Sequence, residues 1–104
     1  MKESGIVTAI QQYLQILENQ GKLVFQRNNS GAVRTQRGGF LRFGKVGSPD
    51  FYLFTVGGKT IHLEVKNETG KQSEGQKDFE ERVTKLGHKY LIVRDIEELE
   101  KLHL

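Results

Sequence analysis

The residues best suited to chemistry are Asp50, Glu64 and Lys66, with Val65 between the last two. The runs Phe51 to Val56 and Thr60 to Lys66 flank Gly57-Gly58-Lys59, a strong hairpin signal. Pairing the two runs about the glycines brings Asp50 opposite Glu64 to Lys66, within a residue of register. Side chains alternate along a strand, so Ile61, Leu63 and Val65 share one face while His62, Glu64 and Lys66 share the other. Two adjacent carboxylates repel unless one is protonated or a cation lies between them, and hard oxygen donors suit Mg²⁺, with Mn²⁺ able to substitute. An amine on the same face can orient a water or stabilise charge developing on a phosphate. Patterning by itself is equally met by the solvated face of a half-buried strand, with Asp50 a turn residue after Pro49.

The elements that must position these residues can be read on both sides of the hairpin. After Ser4, a good N-cap residue, Ile6, Val7, Ile10, Tyr13, Leu14 and Leu17 recur at helical spacing, predicting a helix over about Gly5 to Asn19 with Gly21 as its stop. Leu23 to Arg27 reads as a short strand, Asn28 to Gly39 as a basic loop, and Phe40 to Phe43 as a short strand. Both faces of Phe51 to Val56 are apolar, which places that strand inside the sheet. Ser73 to Gln76 has capping-box spacing and opens a second helix, Glu74 to Leu86, whose buried stripe would be Phe79, Val83 and Leu86. Tyr90 to Val93 reads as a strand, and Ile96, Leu99 and Leu102 outline a closing helix. The order predicts an α/β architecture, a central mixed β-sheet with a hairpin, flanked by helices, as a single domain over 1-104.

Composition narrows the function. The chain has 104 residues, and no apolar run approaches the roughly 18 residues that span a bilayer, so no membrane role is expected. Met1 to Gly5 lacks a secretory pattern, and there is no cysteine; a cytoplasmic setting is expected, that of the host cell if the protein is viral. Gly38-Gly39 and Gly57-Gly58 are turn pairs without the Lys-Ser/Thr of a phosphate loop, and no small organic cofactor is expected. The net charge is only +3, but no acidic residue occurs between Glu18 and Asp50, where Arg27, Arg34, Arg37, Arg42 and Lys45 fall. That one-signed strip favours phosphate contact over a merely solvated loop, and it lacks a recognition helix that would read sequence.

Pro49-Asp50 followed by Glu64-Val65-Lys66 resembles the PD-(D/E)XK nuclease signature. Gly47-Ser48-Pro49-Asp50, Lys71-Gln72-Ser73 through Gln76, and Gly87 extend the likeness to the VRR-Nuc branch, the virus-type replication and repair nucleases, over nearly the whole chain. The resemblance implies a restriction-endonuclease-like core. It implies a divalent metal held by Asp50, Glu64 and the carbonyl of Val65, with Glu3 of the first helix as a further metal ligand. Lys66 would assist the attacking water, and Gln76 matches the family's helical glutamine. Gln76 is also explained as the capping-box residue, and Glu3 as an acid near a helix N-terminus. His62 matches no ligand and is expected to be solvated or close to DNA. Stand-alone viral members resemble Holliday-junction resolvases, which implies a homodimer, an endodeoxyribonuclease and branched DNA as substrate. The alternatives are a noncatalytic nucleic-acid-binding protein and a sequence-specific restriction-type nuclease.

Overall fold

The structure, a computed structural model, describes residues 1–28 and 31–104; the side chains at 31–33, 42 and 43 lie outside the description. Helix α1 spans Glu3–Asn19 and buries Ile6, Val7, Ile10, Leu14 and Leu17, the stripe that its periodicity predicts. Its start differs from expectation. The N–H groups of Gly5 and Ile6 both donate to the Lys2 carbonyl, so Lys2 is the N-cap, without a side-chain cap, and Ser4 lies within the first turn.

Strands β1 (Val24–Arg27), β4 (Phe51–Thr55), β5 (Lys59–Val65) and β6 (Lys89–Val93) form one sheet in the order β1-β4-β5-β6. The first three are antiparallel, and β6 runs parallel to β5. Helix α2 (Glu74–Lys85) makes the crossover between β5 and β6, and α3 (Ile96–Glu100) follows β6. The β4–β5 turn is Val56-Gly57-Gly58, where both glycines have positive φ, a conformation that costs a Cβ-bearing residue about 1–2 kcal/mol. Phe51, Leu53, Ile61, Leu63, Val65, Val93 and Leu99 join the buried residues of α1 in one core, so α1 and α3 cover one sheet face. The mixed sheet flanked by helices agrees with the sequence reading. No helix among the described residues is long and apolar enough to cross a membrane.

Three expectations are corrected. Within the predicted basic loop, Gly31–Arg34 forms a strand, β2, which pairs antiparallel with β3 (Phe40–Phe43) as a separate two-stranded ribbon. Helix α2 buries no residue fully: Phe79 and Val83 are half-buried, and Leu86, beyond its last turn, is 77% exposed. The closing helix ends at Glu100, leaving Leu102 outside it and exposed.

Candidate active site

Phe51 pairs with Leu63, so one step further along the ladder Asp50 faces Glu64. Pro49 would be the next partner of the strand and has no N–H to donate, and its carbonyl already accepts from Asn28 Nδ2 at 2.9 Å. The Val65 N–H therefore turns to the Asp50 carboxylate, donating to Oδ2 at 2.7 Å. On the other side the Lys66 N–H donates to the Val93 carbonyl at 3.0 Å. The end of β5 is thus held between a carboxylate and the parallel strand. This fixes the backbone from which Glu64 and Lys66 project.

The face that alternation marks as polar is not wet. His62, Glu64 and Lys66 are 8%, 2% and 9% exposed: Phe79 of α2 packs on His62, Tyr90 lies against Glu64, and the turn at Gly70 lies against Lys66. Tyr90 Oη donates to Glu64 Oε2 at 3.3 Å, and Lys66 Nζ lies 3.9 Å from Glu64 Oε1. Burial, reinforced by Asp50, pushes the Glu64 carboxyl up to about 8, with Lys66 and Tyr90 pulling the other way. Burial and the Glu64 charge hold the Tyr90 hydroxyl well above its usual range, so it remains a donor. A buried carboxylate and ammonium cost several kcal/mol per ion to desolvate, an expense that burial of apolar groups on this face would have avoided.

His62 is a correction. It is packed among Tyr52, Phe79, His88 and Tyr90, with ring centres 5.2 to 6.4 Å away, and among the described residues its Nδ1 has no hydrogen-bond partner. Burial and the neighbouring His88 lower its pKa, so it is a neutral packing residue rather than a solvated one.

Gln76 completes the capping box: its Oε1 accepts from the Ser73 N–H at 2.9 Å, and its own N–H donates to Ser73 Oγ. Glu3 is half-buried in the first turn of α1, but among the described residues no three His, Cys, Asp or Glu side chains come close enough to hold a metal. The structure therefore brings together Asp50, Glu64, Val65 and Lys66 and does not add Glu3 to them. The oxygen-only pair of Asp50 and Glu64 fits a hard divalent cation, since their mutual repulsion is among the causes that raise Glu64.

Of the basic residues, Arg27 stays against the body, donating to Gln11 Oε1 at 2.9 Å with its guanidinium 5.6 Å from the Phe51 ring centre. Arg34, Arg37 and Lys45 are exposed on or beside the ribbon, and the Arg42 side chain lies outside the described residues. A cavity of about 610 Å³, lined by Lys22, Lys59, His88 and Lys89 among others, sits at the opposite end of β5 and contains none of the candidate catalytic residues.

Sequence reasoning missed Arg94 outright, and of Gly47 it saw the place in the Gly47-Ser48-Pro49-Asp50 likeness but not the contact it makes. Arg94 Nη1 donates at 2.7 Å to the carbonyls of both Asn67 and Gly70, pinning the turn that follows Lys66. Its only sequence signal is its place just beyond β6. Gly47 has φ +82, and a Cβ there would stand 2.1 Å from the Gly75 carbonyl oxygen, so the approach to Asp50 packs directly on the start of α2. Gly47→Ala is expected to cost about 2–4 kcal/mol from a strained φ together with overpacking against backbone. A denaturant midpoint unchanged from the wild type would show that this contact is dispensable.

The four-stranded sheet, its covering helices and the carboxylates at the end of a hairpin define the restriction-endonuclease-like class of fold. Within that class the chain is similar to a solved VRR_NUC domain, with a TM-score of 0.68 and 20% identity over 98% of this chain and 94% of that one. No protein-family model and no curated protein matches the sequence.

Proposed function

We propose that the protein is a nuclease of the PD-(D/E)XK type, a divalent-metal-dependent endonuclease that cleaves branched DNA as a Holliday-junction resolvase does. The observation that carries this is the burial of Glu64 and Lys66 beside Asp50, ionisable groups gathered where a sheet needs none. The shared fold with a VRR_NUC domain supports it. Asp50 and Glu64, with the Val65 carbonyl, are the residues that would hold Mg²⁺ or Mn²⁺. Bound there, such an ion supplies polarisation of the scissile phosphate and a lowered pKa for the attacking water.

The chain's own groups supply the rest. Tyr90 holds one oxygen of Glu64, which leaves Oε1 turned toward Lys66. Lys66, anchored by the Lys66-Val93 backbone bond and the Arg94-pinned turn, can present its ammonium to a nucleophilic water or to the charge that builds on phosphorus. The exposed Arg34, Arg37 and Lys45 would neutralise backbone phosphates without reading bases. A homodimer would place two such sites on opposed strands of a junction. Gln76 keeps its Nε2 beyond the capping box, whose bonds use only its Oε1 and N–H, so capping and a role in the site do not exclude each other.

The test is cleavage of a labelled four-way junction and a matched linear duplex with Mg²⁺, Mn²⁺ or EDTA. Metal-dependent cutting that favours the junction is the expected result. Binding of the junction without cleavage in either metal would leave a nucleic-acid-binding module, and cutting of linear duplex at a defined sequence would leave a restriction-type enzyme.

A further inference from the structure

The ribbon of β2 and β3 is out of keeping with the rest of the molecule. Among the described residues no other helix or strand packs against it, and a lone two-stranded ribbon is marginal in water. It nonetheless exposes large apolar groups on successive positions of β3, Phe40 at 68% and Leu41 at 59%, which alternation directs to opposite faces. Its register pairs Arg34 with Phe40, and the Arg34 guanidinium stands 5.7 Å from the Phe40 ring centre. Thr35 and Gly39 close the tip, which carries Arg37. Since β3 runs from Phe40 at the tip toward Phe43 at the base, Phe40, Leu41, Arg34 and Arg37 share the distal half.

The base is tied to the candidate active site. Asn28 donates through its N–H to the Asp50 carbonyl at 2.8 Å, and through Nδ2 to Ser48 Oγ at 2.7 Å and the Pro49 carbonyl. The two stems of the ribbon are therefore joined at the residue that carries the candidate carboxylate. No acid lies between Glu18 and Asp50, so the ribbon is one-signed, suited to a polyanion and repelled by a second ribbon like itself.

We propose that this ribbon is a DNA-gripping arm in which Phe40 and Leu41 form an apolar wedge that parts the weakly stacked bases at a branch point, while Arg34 and Arg37 take the flanking phosphates. The proposal rests on the nuclease reading and deepens it by giving branched DNA a physical basis for preference. A branch interrupts base stacking, so parting its bases the rest of the way costs less than opening a linear duplex, at a few kcal/mol per step. Stacking on an aromatic ring is indifferent to base identity, so the arm selects structure rather than sequence.

The test uses a four-way junction with 2-aminopurine at the branch, in EDTA so that cleavage plays no part. Wild-type protein should raise the fluorescence on binding, with no rise on a linear duplex labelled at the same step. Phe40→Ala with Leu41→Ala should abolish the rise and lower junction affinity by about tenfold, the value of roughly one stacked base. Phe40→Trp should keep the junction affinity, which guards against a folding defect. Arg34→Ala with Arg37→Ala should instead flatten the salt dependence of binding by about two phosphate contacts. A rise that survives the double apolar variant, or wild-type binding without any rise, overturns the wedge while leaving the nuclease reading in place. Failure of the wild type to bind the junction at all would overturn both. A change from dimer to monomer in the double apolar variant, with the rise intact, would assign the ribbon to a second copy of the chain instead.

Discussion

Asp50→Asn, Glu64→Gln and Lys66→Ala are each expected to lower the rate of junction cleavage by at least about 10²- to 10³-fold, the loss that follows removal of one group acting on transition-state charge. Binding of the junction in EDTA should change little, because none of the three is among the exposed basic groups. The losses should not add: the residues act as one unit, so a double variant is expected to fall little below the worst single one. Asp50→Asn has a second consequence, since its Oδ2 accepts the Val65 N–H; an amide oxygen can keep that bond, so the variant should still fold. Glu64→Gln copies the protonated form that burial favours and keeps an acceptor for Tyr90. Its stability should equal or exceed that of the wild type in the absence of metal. Metal-dependent cleavage that persists in all three variants would remove these residues from the chemistry and return the buried cluster to a structural role.

The hairpin that brings Asp50 to Glu64 is legible because two signals coincide: a glycine turn whose positive φ angles demand it, and strict alternation along β5. The α2 capping box is legible for the same reason, a local pattern satisfied within four residues. What alternation cannot say is whether a polar face is open. Glu64 and Lys66 look solvated in sequence and are buried beside Tyr90 and the Gly70 turn, whereas α2 itself buries nothing completely and its predicted stripe partner Leu86 is left outside. Of the ribbon, β3 is legible in the sequence, and β2 is hidden for the opposite reason. Among the described residues no other element packs on this ribbon, so nothing obliges Gly31 to Arg34 to alternate, and its sequence carries no periodicity to read. Ser4 has the side chain of a cap, yet the helix starts at Glu3 with Lys2 as its N-cap because two amides find the Lys2 carbonyl first.

The site thus holds a tension between fold and function that its titration should expose. The Glu64 carboxyl lies near 8 in the folded chain, raised by burial and by Asp50 from an ordinary value of 4.5. Between those two values the folded protein keeps a proton that the unfolded chain has released, so stability falls as pH rises through this window. Metal-free protein is expected to lose at least about 5 °C of melting temperature between pH 5 and 9, and Glu64→Gln should flatten that slope. A divalent ion needs the ionised carboxylate, so its binding at pH 7 must expel close to one proton, and its affinity should rise about tenfold per pH unit until Glu64 is ionised. Calorimetric titration of Mg²⁺ into the protein in two buffers of different ionisation enthalpy measures the proton directly. Proton release that vanishes in Glu64→Gln would make Glu64 both the ligand and the buried acid. Mg²⁺ affinity that is constant from pH 6 to 8, with no proton released, would mean that the ion binds elsewhere or that Asp50 does not burden Glu64 as the geometry requires.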